Sequence, residues 1–438
     1  PSLNVAYYIE ECMDSVLSQK LDNMEIICVD AGSTDGTLER LEHYATRDSR
    51  IRIIKSDRKS YGYQMNLGLK AAHGEYIGIV ETDDYIAPEM FECLYHIAHQ
   101  NNVDFVKSSY TSFYETDENR FYYNNQNTDT KPVNGVKINL NQREIYRLAD
   151  INHIWSGLYD RQFLLEHELW FNETPGASFQ DTSFSILVGL VAQSCVYTDD
   201  CFYHYRTDRA ESSVKSDAKY RCIIDEFDYI DWYLKQHGMY TEENKKKVNA
   251  VKLNTYQWNL LRLTEHSRAL FRNEISEEMT AFMPDGDFYP NLSEKQKRIV
   301  KLLTDPEEVK RLEAEQEVSK QKLWNVLEAG KKGETYIFVG AGRYLKKFID
   351  IERLINCSML EDVCDNKKEL QGQVVYSHII KSVEDTVKQH PSKKWLVANK
   401  YHAQEIREQL LSLGIPDEHI ICIEYIPEVN EVNHIHPL

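Results

Sequence analysis

The residues able to do chemistry in this chain fall into four short segments. In Val80-Glu81-Thr82-Asp83-Asp84-Tyr85 an apolar run leads straight into three acids. Carboxylates are hard oxygen ligands that suit Mg2+ or Mn2+, and such an ion keeps positions open for substrate phosphates. Asp83 or Asp84 could equally cap a helix that starts near Pro88. The segment from Val29 through Asp30 and Gly32 to Thr37 reads as a strand, a turn and a helix start, with Ser33, Thr34 or Asp35 satisfying the open amides. In a functional reading Asp30 sits at the strand tip and accepts hydrogen bonds from a nucleotide base or ribose. From Gly176 to Phe184, through Ala177, Ser178 and Gln180, Asp181 precedes an apolar helix. It could be that helix's cap, or a general base near an acceptor hydroxyl, with the helix N-terminus favouring its ionised form. Finally, His204-Tyr205-Arg206, followed by Ser212 and Ser213, could clamp a diphosphate and stabilise its charge as it leaves. A surface ion pair is the plainer alternative for His204 and Arg206.

The elements that must position these residues alternate. Helical periodicity over 5–19, 64–72 and after Pro88 is interleaved with apolar runs at 25–29, 51–54, 76–80 and 104–106. Short apolar runs alternating with helices indicate βαβ units and a mainly parallel sheet, whose ligands bind beyond the carboxyl ends of the strands. Asp30 and Asp83 both fall there. Residues 111–150 are polar and irregular, a loop or part of an acceptor-binding region. From about 215 to 330 the pattern is helical and strongly charged. An α/β pattern restarts in the last hundred residues: Tyr336 to Val339 reads as a strand, Gly340-Ala341-Gly342 opens a helix, a second strand ends near Asp365-Asn366, and Trp395 to Ala398 makes another. The expected organisation is therefore α/β throughout, with domains at 1–215, 216–330 and 331–438.

Composition narrows the function. A net charge of −19 argues against a nucleic-acid partner, which needs a basic surface. Nine cysteines without a CxxC pair point to a reducing, cytoplasmic compartment rather than a disulfide framework. No apolar run reaches the length of a membrane span; the longest candidate, Phe184 to Tyr197, is broken by Gln193 and Ser194. The sequence opens at Pro1 as though mid-element, and an apolar strand is expected just before it.

Taken in order, these segments resemble glycosyltransferase family 2, the inverting enzymes of GT-A fold, over about the first 215 residues. The resemblance is carried by Pro1-Ser2-Leu3-Asn4, by Asp14-Ser15-Val16 with Gln19, and by Asp30 to Thr37. It continues through Gly62, Asn66, Gly68, Ala72, Gly74, Glu75 and Tyr76, then Glu81-Thr82-Asp83-Asp84, Ile154 to Tyr159, Gln180-Asp181 and Tyr203-His204-Tyr205-Arg206. It implies a mixed α/β domain that moves a sugar, with inversion, from a nucleotide diphosphate donor of the UDP type to an acceptor hydroxyl, as in bacterial surface-glycan synthesis. Pro1, Leu3, Asp30, Asp83, His204 and Arg206 would bind the donor nucleotide. Asp83, with Glu81 beside it, would hold Mn2+ or Mg2+, and Asp181 would be the catalytic base. A glycan or glycolipid acceptor is implied, with peripheral association at the inner membrane face left open. Leu3, Glu81 and Gln180 stand where the family usually has Tyr, Asp and Glu. The last two favour an alternative, an inactive nucleotide-sugar-binding scaffold of the same fold. The C-terminal segment resembles small Rossmann-like modules attached to some bacterial surface-polysaccharide enzymes. Leu345 replaces the third glycine of the dinucleotide fingerprint, so a regulatory or interaction role stands beside cofactor binding and a dinucleotide oxidoreductase.

Overall fold

The computed structural model of the chain describes all residues except 116–119, 126–133, 141–152, 178, 210–215, 284–291, 369, 400–401 and 428–438. Ser178, Ser212, Ser213 and much of the polar stretch 111–150 thus lie outside the described residues. The chain forms two compact units, Pro1–Thr304 and Asp305–Leu438. The helical middle expected at 216–330 is divided between them.

In the first unit, α1 (Ile9–Leu17), β1 (Ile26–Asp30), α2 (Thr37–Arg47), β2 (Ile51–Lys55), α3 (Tyr61–Ala71), β3 (Tyr76–Gly78), β4 (Tyr85–Ile86), α4 (Met90–Asn101) and β5 (Phe105–Glu115) follow the alternation seen in the sequence. Then come β6 (Arg120–Asn125), β7 (Lys137–Asn139), β8 (Gly157–Asp160), α5 (Arg161–Glu166), α6 (Gln180–Val191) and β9 (Ser194–Arg206). Helices α7 (Cys222–Gln236), α8 (Glu242–Arg262), α9 (Glu265–Thr280) and α10 (Glu294–Thr304) complete the unit. Local chemistry sets several helix starts. Ser60 accepts the Tyr63 amide hydrogen at α3, Asp160 accepts that of Phe163 at α5, and Thr241 accepts that of Asn244 at α8.

Strands β1 and β2 pair in parallel, and Ser2 makes a parallel bridge to Asp30 beside them. The larger sheet has the order β3-β8-β5-β9-β4, with β6 on β5 and β7 on β9. Its β5–β9 pair is parallel, whereas β3–β8, β5–β8 and β4–β9 are antiparallel. The mixed α/β fold expected from the resemblance is present. The mainly parallel sheet expected from alternation is corrected, because β8 returns between β3 and β5 against their direction. The polar stretch expected as irregular contains the end of β5 together with β6 and β7.

Two packing details fix the site's floor. Helix α6 is buried at Gln180 and from Thr182 to Gly189, and stacked Phe171 and Phe184 rings lie 4.1 Å apart against it. Gly62 in α3 meets the chain at 171–172 so closely that a Cβ would lie 1.9 Å from the Asn172 carbonyl oxygen, which only glycine avoids.

The second unit comprises α11 (Pro306–Lys331), β10 (Tyr336–Val339), α12 (Arg343–Leu354), β11 (Leu360–Cys364), β12 (Val374–Val375), β13 (His378–Ile379), α13 (Val383–Gln389), β14 (Lys394–Ala398), α14 (Ala403–Ser412) and β15 (Ile420–Ile423); β11-β10-β14-β15 form a parallel sheet with helices against it, and β12 and β13 a separate antiparallel pair. Alternating strand residues divide between two cores: Tyr336 and Phe338 pack with Leu323 and Leu327 of α11, and Ile337 and Val339 pack with Val383 and Leu410. At the strand ends the Asp365 carboxylate accepts the amide hydrogens of Ala341 and Lys367, each at 2.8 Å. It therefore closes its own loops. Among the described residues, no helix is long and apolar enough to cross a membrane.

Candidate functional site

The first unit contains a cavity of about 360 Å³ at the ends of its strands. Glu81 and Asp83 reach it from the turn between β3 and β4, and Asp181 from the first turn of α6. Pro1, Ser2 and Leu3 form another wall, and Tyr61, Trp155 and Tyr205 supply aromatic surface. The structure thus gathers three carboxylates that are 100 residues apart at the extremes of the sequence.

Each acid is held differently. Glu81 accepts a 2.5 Å hydrogen bond from the Tyr61 hydroxyl, and its amide donates to the Tyr203 hydroxyl at 3.0 Å. Burial, reinforced by the Asp83 and Asp181 charges, pushes the Glu81 carboxyl up to about 7. Asp83 remains partly exposed and pairs with Arg209, whose Nη1 donates to Oδ2 at 2.9 Å. Asp181 is pushed up to about 6 by burial, against the amides of Asp181 and Thr182 that favour its charge. The helix N-terminus was expected to favour the ionised form there, and removal from water outweighs it.

Asp84 is a separate case. It is buried, accepts hydrogen bonds from the Tyr203 hydroxyl at 2.8 Å and the Arg206 amide at 2.7 Å, and ties β4 to β9. Neither Asp83 nor Asp84 caps the helix after Pro88, since α4 begins at Met90 without a side-chain cap.

Three expected donor-site residues lie elsewhere. Asp30 is 1% exposed and does not line the cavity. Its carboxylate accepts the amide hydrogens of Gly32 and Ser33 and the hydroxyls of Ser2 and Ser33. It shapes the turn and fixes Ser2, which does line the cavity. Arg206, expected at the diphosphate, does not line the cavity. Its guanidinium is buried, donates to Glu115 at 2.6 Å and Glu11 at 3.1 Å, and its Nε donates to the Asp83 carbonyl at 3.1 Å. His204 stacks on Tyr85, with ring centroids 4.3 Å apart, also away from the cavity. The cation that does line it is Arg209, three residues beyond the motif, joined by Lys59 and Lys219.

Two lining groups that the sequence offered only as parts of the family resemblance, Trp155 and Gln180, take structural roles here. Trp155 lies between Tyr203 and Tyr205, at centroid distances of 4.1 and 5.2 Å, so β9 and the segment before β8 form one aromatic wall. Gln180 is buried, and its Nε2 donates to Thr174 Oγ1 at 2.9 Å and to the Gly176 carbonyl at 3.1 Å, anchoring the loop that enters α6. Behind α6, Glu226 of α7 is fully buried and accepts hydrogen bonds from the Ser183 hydroxyl and from Asn172 Nδ2 at 3.0 Å. Burial pushes it up to about 8.

Comparison with known proteins agrees with this architecture. The family described as Glycosyl transferase family 2 matches residues 1–166. The uncharacterized glycosyltransferase EpsJ of Bacillus subtilis is 32% identical over 206 residues, covering 47% of this chain and 59% of EpsJ. Glycosyltransferase GlyG of Streptococcus pneumoniae is 30% identical over 215 residues, covering 47% of this chain and 68% of GlyG. Among solved structures, S. aureus TarS 1-349 in complex with UDP-GlcNAc is similar at 16% identity and a TM-score of 0.45, over 69% of this chain and 89% of that one. With the Glu81–Asp83 and Gln180–Asp181 segments of the first unit meeting around one cavity, and with GlyG 30% identical and matched over 68% of its own length, the chain belongs to glycosyl transferase family 2 and its N-terminal unit has the mixed α/β fold of GT-A type.

Proposed function

We propose that the chain transfers a sugar from a nucleotide diphosphate donor to an acceptor hydroxyl in a single inverting displacement, within the synthesis of a bacterial surface glycan. The observation that carries this reading is the meeting of Glu81, Asp83 and Asp181 around one cavity. A donor of the UDP class, and a cytoplasmic setting with access to the inner membrane face, follow from the family resemblance. No disulfide joins the cysteines among the described residues, in keeping with a reducing compartment.

The acids suit a divalent cation. Asp83 is a partly exposed carboxylate, and Glu81 has its charge held back by burial and by its acidic neighbours, which a cation would relieve. Mn2+ or Mg2+ binds through one or two carboxylates and leaves its other positions to phosphates and water. Asp83, with Glu81 beside it, would hold the ion, and the ion would offset the charge developing on the leaving diphosphate.

The chain's own groups do the rest. Asp181, with a carboxyl near 6, is ionised at neutral pH yet basic enough to take the acceptor proton as its oxygen attacks the anomeric carbon. Arg209 brings positive charge to the Asp83 side of the cavity, where the leaving phosphate would sit. Tyr61 fixes the Glu81 carboxylate, and the Trp155–Tyr205 wall keeps water from one side of the reacting centre.

The test is turnover of a UDP-sugar with Mn2+, paired with calorimetric binding of UDP. Asp83→Ala should abolish metal-dependent binding and turnover together. Asp181→Asn should retain UDP binding while turnover falls about 10²-fold or more. Parental turnover in Asp181→Asn would refute the base assignment.

A further inference from the structure

We infer that Trp258 and Phe179 form an aromatic stacking subsite for a pyranose ring of the acceptor, at the Asp181 side of the cavity; this rests on the transferase reading above. Trp258 belongs to α8, outside residues 1–166 that match the family, so the subsite would be particular to this chain's helical addition.

Three observations place it. Phe179 lines the cavity two residues before Asp181, and its backbone is left-handed, with φ 66° and ψ 26°. A bulky side chain there is strained, and such strain persists only where the surroundings enforce it. The enforcement comes from α8: the Trp258 ring meets Phe179 edge to face with centroids 5.5 Å apart. The Arg262 guanidinium lies 5.0 Å from the Phe179 ring centre and 5.4 Å from that of Trp258. Arg262 is itself fixed, donating to Asn259 Oδ1 and the Ser216 carbonyl at 2.9 Å and to the Lys219 carbonyl at 3.2 Å. Lys219 in turn donates to the Ala177 carbonyl, and both residues line the cavity. The rim is thus one cross-linked piece joining α8, the turn at Asp217–Lys219 and the entry to α6.

Within that rigid rim Trp258 is left 41% exposed. Trp258 is held by the Arg262 cation and by the Phe179 ring, which itself lines the cavity two residues from Asp181, so the pair presents a preorganised apolar surface with polar groups around it. The axial C–H face of a pyranose matches such a surface, with its hydroxyls directed toward Lys219 and Asp181. An acyclic polyol phosphate would have no ring face to offer it.

The full chain, saturated with UDP and Mn2+, should be titrated with methyl β-glucopyranoside, cellobiose and ribitol 5-phosphate, followed by saturation-transfer NMR. At least one pyranoside should bind through its axial protons. Trp258→Ala should weaken it about tenfold, the scale of a good aromatic contact, and Trp258→Phe should recover most of the loss. UDP affinity should be unchanged in both. Phe179→Gly, which tolerates the left-handed backbone, should weaken the pyranoside as well. Equal pyranoside binding by the wild type and Trp258→Ala, or binding of ribitol 5-phosphate alone, overturns the subsite while UDP binding leaves the transferase reading intact. Failure of the wild type to bind UDP removes both.

Discussion

The Glu226 carboxyl offers a direct measure of how strongly burial governs the acids around α6. In the folded chain it sits behind Asp181, fully buried, and titrates near 8 instead of the usual 4.5. Between those values the folded protein holds a proton that the unfolded chain has released. Stability must therefore fall as pH rises through this window, by about 1.4 kcal/mol per pH unit. From pH 6 to pH 8 the loss is about 2.5 kcal/mol, somewhat rounded near the upper end. Glu226→Gln preserves the shape, still accepts one hydrogen bond from Asn172 or Ser183, and cannot ionise. Its stability advantage over the wild type should widen by about 2.5 kcal/mol between pH 6 and pH 8. Urea unfolding of the full chain, followed by tryptophan fluorescence at pH 6, 7 and 8, reads this difference, and comparison at each pH cancels the other titrating groups. A gap that stays constant would show Glu226 already ionised at pH 6 and would refute the dominance of burial. Should it widen as expected, the same reasoning supports the direction assigned to Asp181 and Glu81.

Two further outcomes follow from the site. Turnover should rise with pH along a limb centred near 6 as Asp181 loses its proton, and a flat profile from pH 5 to pH 8 would contradict that role. Arg206→Met should act on the fold rather than on the donor. It strips Glu11, Glu115 and the Asp83 carbonyl of a buried cation, which should cost about 3 kcal/mol in unfolding experiments. A stable Arg206→Met chain with sharply weakened UDP binding would restore Arg206 as a diphosphate clamp.

Much of the local organisation could be read without coordinates. The alternation of apolar runs and helices anticipated β1, β2, β3 and the opening of β5, and the glycines after Tyr336–Val339 anticipated the start of the second α/β unit. Asp35 was legible as a helix-start residue, and it accepts the Thr37 amide hydrogen at 3.0 Å. The division of the middle helices was not legible. Helices α7 to α10 and helix α11 share the same charged, periodic pattern, and only their packing partners assign them to different units.

The sequence by itself determined which acids stand at strand ends and helix starts, because turns, caps and hydrophobic period are encoded within a few neighbouring residues. Tertiary structure decided which of them share a cavity. It turned Asp30 and Arg206 inward onto protein partners, set Arg209 against Asp83, and brought Trp258 to Phe179 from 79 positions away. It also set the proton affinity of Asp181 and Glu226, since loss of water around a carboxylate depends on what the fold packs against it and not on its own segment alone.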